Sequence, residues 1–300
     1  STVNGKPITI GEAHRLAQND VITGAAKEGE SDRTQNHLQY SLLGDPALSL
    51  NFPTMKVVLD SINGIACERT DTMPKLKAGS IARIAGHIEG KTDYQGVVTA
   101  TVRDSKELIT CKLNNTKEAD KAFQFYDRQK TLYQGSDSVS NGKFSFSFAV
   151  PKDINYSDAT GLLNLYSISN DKTMRAHGTS EKFTVGGSVE SRNDSIGPSI
   201  YCYLNSPSFV DGGDVNTTPF FVAKLSDRDG INAAGSGIGH DLQLVIDGDM
   251  TKTYNLNDYF TYDFGTYTSG STYYSIPELA PGKHQLTFRA WDIQNNSSTT

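Results

Sequence analysis

The sequence predicts a mainly β protein, with two β-sandwiches in tandem behind a short helix-strand segment. Three observations carry this. Helical periodicity is confined to the first two dozen residues, the chain from Lys56 onward is a series of short β-rich runs, and the stretch from Lys143 to Val150 alternates strictly between apolar and polar side chains.

The elements follow in chain order. Thr9-Ile-Gly-Glu12 has the form of a capping box, and Ala13, Leu16, Ala17 and Val21 follow at helical spacing, which predicts a helix over about 9–26. After a polar patch from Glu28 to Asn36, Leu42, Leu43, Leu48 and Leu50 flank Gly44-Asp45-Pro46, read as a strand, a tight turn and an apolar exit. Val57–Leu59, Ile81–Ile88, Val97–Val102 and Leu162–Ile168 read as strands. Asn141-Gly142 favours positive φ at both positions, the signature of a two-residue hairpin turn, and leads into the alternating stretch, where Phe144, Phe146, Phe148 and Val150 share one face. Gly186-Gly187 and the polar segment Ser188 to Gly197 read as a break and a linker. Beyond it, Ile200–Leu204, Phe220–Leu225, Leu242–Ile246 and Gln285–Trp291 read as strands, and 292–300 as polar and strandless, so that the last domain looks truncated. The expected domains are 1–53, 54–187 and 188–300.

Composition excludes several classes. A chain of 300 residues with 36% hydrophobic residues can bury substantial cores, and a net charge of −6 without a Lys/Arg cluster argues against a nucleic-acid partner. No window offers the run of about 20 apolar residues that a membrane helix needs, so no membrane-spanning segment is expected. Three cysteines, Cys67, Cys111 and Cys202, have neither metal-ligand spacing nor a CxxC pair. No metal or cofactor site is assigned.

At His37-Leu-Gln-Tyr-Ser-Leu-Leu-Gly-Asp-Pro-Ala-Leu-Ser-Leu50 the sequence resembles the segment that ends the catalytic domain of gingipain-type cysteine peptidases, where Leu-x-Gly-Asp-Pro-x-Leu precedes Ig-like domains. The blocks Val139–Phe148, Val150–Tyr156, Asp229–Asn232, Gly237–Asp241 and Trp291–Ser297 are similar to the post-catalytic region of the PorU-like surface sortases of the type IX secretion system in Bacteroidetes. The resemblance implies that 1–53 is the remnant of a caspase-like peptidase domain and that both sandwiches are Ig-like. It implies a parent that cuts C-terminal signals from secreted cargo and joins the cargo to a surface lipopolysaccharide, with its own peptidase domain, secretion-system surface proteins and cargo as partners, exported to the cell surface and outer membrane. It also places the catalytic His-Gly and strand-end Cys upstream of Gly-Asp-Pro, where this chain has only His14 and no cysteine. No catalytic residue is therefore assigned here.

Several residues have a chemical reading beside a structural one. His37 with Cys67, and His177-Gly178 with Cys202, are the two candidate His/Cys pairs; the first has the wrong local context, and the second would lie in β-sandwich sequence with a linker between its members. A buried strand thiol is the simpler account of Cys202. Asp227-Arg-Asp-Gly-Ile-Asn232 spaces oxygens around a glycine as calcium loops do, but lacks the third early ligand and the late Glu, so a turn is expected. His240 reads as a packing residue and Asp45 as a turn cap. Tyr254, Tyr259, Tyr262, Tyr267, Tyr273 and Tyr274 either face a core or form an exposed platform for sugars or peptides. Asn114, Asn155, Asn193 and Asn216 match N-glycosylation sequons, while Asp60-Ser-Ile62, Asp71-Thr-Met73 and Asp194-Ser-Ile196 are similar to the O-glycosylation acceptor of Bacteroidetes exported proteins. Two other classes stay open: an adhesion or carbohydrate-binding module, and an enzyme that uses His177 and Cys202.

Overall fold

The computed structural model describes all residues except 1, 4, 5, 24–38, 51, 70, 115, 118, 119, 191–193 and 236–238. The chain divides into two compact units, Ser1–Thr54 and Met55–Thr300.

In the first unit the helix runs over Ile10–Thr23. The capping box is half made: the Thr9 hydroxyl accepts the Glu12 amide at 3.2 Å, while the Glu12 carboxylate turns to Arg15 instead of back to the cap. Residues 40–43 form no strand, contrary to the alternation of their leucines. They have no ladder partner among the described residues; Gln18 Nε2 of the helix reaches the Tyr40 carbonyl at 3.4 Å, and the backbone tie to the helix comes after the turn, where the Pro46 and Leu48 carbonyls accept the Gly11 and Ile10 amides at 3.0 and 2.7 Å. The turn itself is as expected, with the Asp45 carboxylate accepting the Ala47 amide at 2.8 Å.

The second unit is mainly β. One sheet orders the strands Thr131–Val139, Gly96–Arg103, Leu162–Ser169, Arg175–Ser180, Met55–Ile62, Ile81–Ile88 and Lys143–Ala149, with Ile65–Ala66 pairing off the path. The Arg175–Ser180 and Met55–Ile62 strands meet in parallel through two residue pairs only, a narrow joint that lets the sheet fold over as two layers. Asn141-Gly142 makes the predicted turn, with φ of 52° and 71°. The expected hairpin does not continue, however. Past the Ser140–Lys143 bridge its two strands part, one pairing with Gly96–Arg103 and the other with Ile81–Ile88, because each finds a full-length partner in a different layer. Phe144, Phe146, Phe148 and Val150 are all buried, and Tyr133 stacks on Phe148 at 4.8 Å from the opposite layer.

Gly186-Gly187 is strand rather than break: Thr184–Ser188 pairs in parallel with Lys75–Ala78. Residues 199–299 build two four-stranded sheets, one of Ser199–Leu204, Phe220–Ser226, Ser269–Ser275 and Thr261–Tyr262, the other of Asp249–Asn255, Gln243–Ile246, Leu286–Trp291 and Ser297–Thr299. The last strand corrects the reading of 292–300 as strandless. The Asp292 carboxylate accepts the Gln294 and Asn296 amides at 2.8 and 2.7 Å, which reverses the chain so that polar Ser297–Thr299 pairs back along Arg289–Trp291 as an edge strand with no apolar signature.

Candidate functional site

The two His/Cys pairs are not assembled into sites. His177 is exposed on the Arg175–Ser180 strand, whereas Cys202 sits in the Ser199–Leu204 strand of another sheet, opposite Ala223. Burial pushes the Cys202 thiol up to about 12, the reverse of an activated nucleophile. Cys67 is buried and its thiol is also raised, by desolvation first and against a lowering contribution from Lys182. Its proposed partner His37 lies outside the described residues. The calcium-like segment is a turn: one Asp227 carboxylate oxygen accepts the amides of Asp229 and Gly230 at 2.8 and 3.1 Å. Among the described residues, no group of three or more His, Cys, Asp and Glu is arranged to hold a metal ion, and no helix is long and apolar enough to cross a membrane.

What the fold does assemble is a polar joint between the sheets of residues 55–188 and those of 199–299. The Lys143–Ala149 strand delivers its exit loop, Pro151-Lys-Asp-Ile154, to Asn232, to His240 and to the turn after Trp291. Both oxygens of Asp153 lie 2.9 Å from His240 Nδ1, and one accepts Asn232 Nδ2 at 2.9 Å. Lys152 Nζ donates to the Gln294 carbonyl at 3.0 Å, and the His240 ring meets Trp291 edge-on at 4.5 Å. The Arg289 guanidinium lies over the Trp291 ring, 5.3 Å from its centroid. Asn232 and Asp292 are fully buried, so their hydrogen bonds are obligatory for the packing. Burial raises the Asp292 carboxyl against the three donors that hold its charged form. Beside this joint, the Tyr133 and Tyr262 rings meet at 5.2 Å, tilted by 33°, and the Tyr262 hydroxyl donates to the Ile231 carbonyl at 2.6 Å. Asp153 was not legible as a partner of His240, because 87 residues separate them. The one sequence signal is that both lie in blocks that carry the family resemblance.

Among the described residues, large apolar side chains are exposed in several places. In the first unit Tyr40, Leu43, Leu48, Leu50 and Phe52 are open to solvent, Leu43 at 95%. On residues 199–299 the tyrosines divide. Tyr262 is core, whereas Tyr259 and Tyr273 are exposed and adjoin one another at 6.0 Å, with Phe220 stacked on Tyr273 at 5.6 Å.

Over 98% of its length the chain is similar, at 34% identity and a TM-score of 0.51, to PorU from Porphyromonas gingivalis, known from a crystal structure of its dimeric latent form. The match supports a PorU-like relationship. The chain spans 27% of the length of that relative. Red sea bream transglutaminase also aligns, at 9% identity and a TM-score of 0.24, a likeness too slight to carry any argument. No protein-family model and no curated protein matches the chain.

Proposed function

We propose that this chain is the non-catalytic, post-peptidase part of a gingipain-type cysteine peptidase acting as a type IX secretion sortase, which removes C-terminal signals from secreted cargo and attaches the cargo at the cell surface. In this reading 1–53 ends the peptidase domain, and 54–187 and 188–300 are Ig-like sandwiches that support that domain and dock secretion-system proteins and cargo. The observation that carries it is the 34% identity to PorU along 98% of the chain. Two features support it. The Cys202 thiol is pushed away from the thiolate by burial, which fits chemistry located elsewhere in the parent. The exposed leucines of the first unit are what a segment shaped to pack on a further domain would present.

The test removes the coding region for 54–300 from the native gene and follows cargo on intact cells. Cargo that keeps its C-terminal signal and leaves the surface is the expected result; normal processing and attachment would refute the reading.

A further inference from the structure

Asn-Gly occurs three times in the sequence, and two of the copies, Asn63-Gly64 and Asn141-Gly142, fall among the described residues. Both build the same kind of turn, with φ of 53° and 77° in the first pair and 52° and 71° in the second. Both asparagines are exposed, and each turn lies between paired residues, Ile62 with Ile65 in one and Ser140 with Lys143 in the other. The glycines differ. The Gly142 amide donates to the Tyr94 carbonyl at 2.8 Å, and Gly142 is buried so closely that an added methyl would overlap the Lys91 carbonyl oxygen. The Gly64 amide donates to no group of the described residues, Gly64 is exposed, and beyond its chain neighbours nothing lies within 4 Å of the place a methyl would take.

The difference matters because the glycine nitrogen is the nucleophile of a reaction intrinsic to Asn-Gly. Once a base has taken its proton, the Gly64 nitrogen attacks the Asn63 side-chain carbonyl carbon, unhindered by any side chain on the glycine. The new N–Cγ bond closes a five-membered succinimide, the Cγ–Nδ2 bond breaks, and the nitrogen leaves as ammonia with a proton from solvent. Water then opens either ring carbonyl, which gives aspartate or, with the main chain rerouted through the side chain, isoaspartate. The attacking nitrogen must be free of other bonds and able to swing toward Cγ. Gly64 meets both conditions. Gly142 meets neither, since its proton is held by Tyr94 and its backbone is packed on Lys91, so it reacts only when that region opens. The electrophiles do not discriminate: Asn63 Oδ1 accepts the Arg83 amide at 2.8 Å, and Asn141 Oδ1 accepts Gln95 Nε2 at 2.9 Å. The glycine therefore decides which turn reacts.

Isoaspartate adds a methylene to the main chain of a two-residue turn, which displaces the Ile62–Ile65 pair. Ile62 is fully buried, and the chain that leaves the turn leads to buried Cys67, whose amide donates to the Asp60 carbonyl at 2.9 Å. We propose that Asn63 is a site of spontaneous covalent modification, converted through a succinimide to isoaspartate and aspartate while Asn141 stays intact in the folded chain, and that the conversion unseats Cys67. The inference does not rest on the peptidase reading.

The whole chain is incubated at pH 8.5, sampled over weeks, and mapped by peptide mass spectrometry with fragmentation that separates isoaspartate from aspartate. Conversion at Asn63 at least about tenfold faster than at Asn141 is the expected result, and in urea, where both turns are lost, the two rates become similar. Labelling of Cys67 by iodoacetamide rises in step with conversion, whereas in Asn63→Gly, which keeps a turn that accepts positive φ and has no amide to lose, it stays constant. Equal rates at the two asparagines in the folded chain, no conversion at Asn63, or Cys67 labelling that rises equally in Asn63→Gly or does not follow conversion overturns the proposal.

Discussion

Replacing Asp153 by alanine isolates what the polar joint contributes. In the wild-type chain the carboxylate accepts from Asn232 Nδ2 and lies at hydrogen-bond distance from His240 Nδ1, all at 2.9 Å. The Asn232 carbonyl oxygen keeps its bond to the Ala234 amide, so the substitution orphans one buried donor rather than the whole side chain. An unsatisfied buried donor costs about 1–3 kcal/mol, and a lost hydrogen bond at the half-buried His240 adds about 1 kcal/mol. The expected loss is therefore about 2–4 kcal/mol, which for a body the size of Met55–Thr300 lowers the melting temperature by roughly 4–16 °C. The chain has one tryptophan, and Trp291 touches His240, so its fluorescence during urea unfolding reports directly on this joint. Asn232→Ala in the Asp153→Ala background should recover part of the loss, since the orphaned donor is gone, and the double-mutant cycle should show coupling of about 0.5–3 kcal/mol. A loss below about 0.5 kcal/mol, or strict additivity, would refute the claim that the joint is held by these bonds.

Phe148→Ala, at a fully buried ring stacked on Tyr133, should cost about 3–5 kcal/mol in the same urea titration; a loss under about 1 kcal/mol would show that the two layers do not meet there. Gly142→Ala should destabilise by more than about 1 kcal/mol, because the turn holds φ at 71° and an added methyl would overlap the Lys91 carbonyl oxygen. His284 should titrate above 6.5 by NMR, since its ring bonds the Ala280 carbonyl and Asp247, and Asp247 below 3.8; the pair's contribution is present in full between those values, fading as pH rises through the raised imidazole value or falls through the lowered carboxyl value. The Cys202 thiol, raised to about 12, should resist iodoacetamide at pH 8.5 in the folded chain and react on unfolding; its share of stability is complete below the ordinary thiol value of 9.0 and is lost as pH rises toward 12.

Strands whose residues alternate against a single core were legible in the sequence, as the Lys143–Ala149 stretch and the Phe220–Ser226 strand show. Pairing was not. Asn141-Gly142 fixes a local turn, but the choice between a continuing hairpin and two separate layers depends on which distant strand offers a longer ladder, and no local residue encodes that. The Ser297–Thr299 edge strand escaped because edge strands carry polar residues by design of the fold, and its position follows from the Asp292 turn rather than from hydrophobicity. The site followed the same division. The ring-rich character of residues 254–274 could be read directly, whereas the meeting of Asp153 with His240 exists only once strand register and loop packing are set.

The most direct test of the functional account is to capture the native protein from cell envelopes with antibodies raised against this chain, determine its length by mass spectrometry, and assay the captured material for thiol-dependent cleavage of a C-terminal signal reporter. The account predicts a single polypeptide several times longer than 300 residues that cleaves the reporter, while the isolated chain and its Cys202→Ala variant are equally inert. A native polypeptide of about this length without cleavage activity, or cleavage by the isolated chain that Cys202→Ala abolishes, would contradict it.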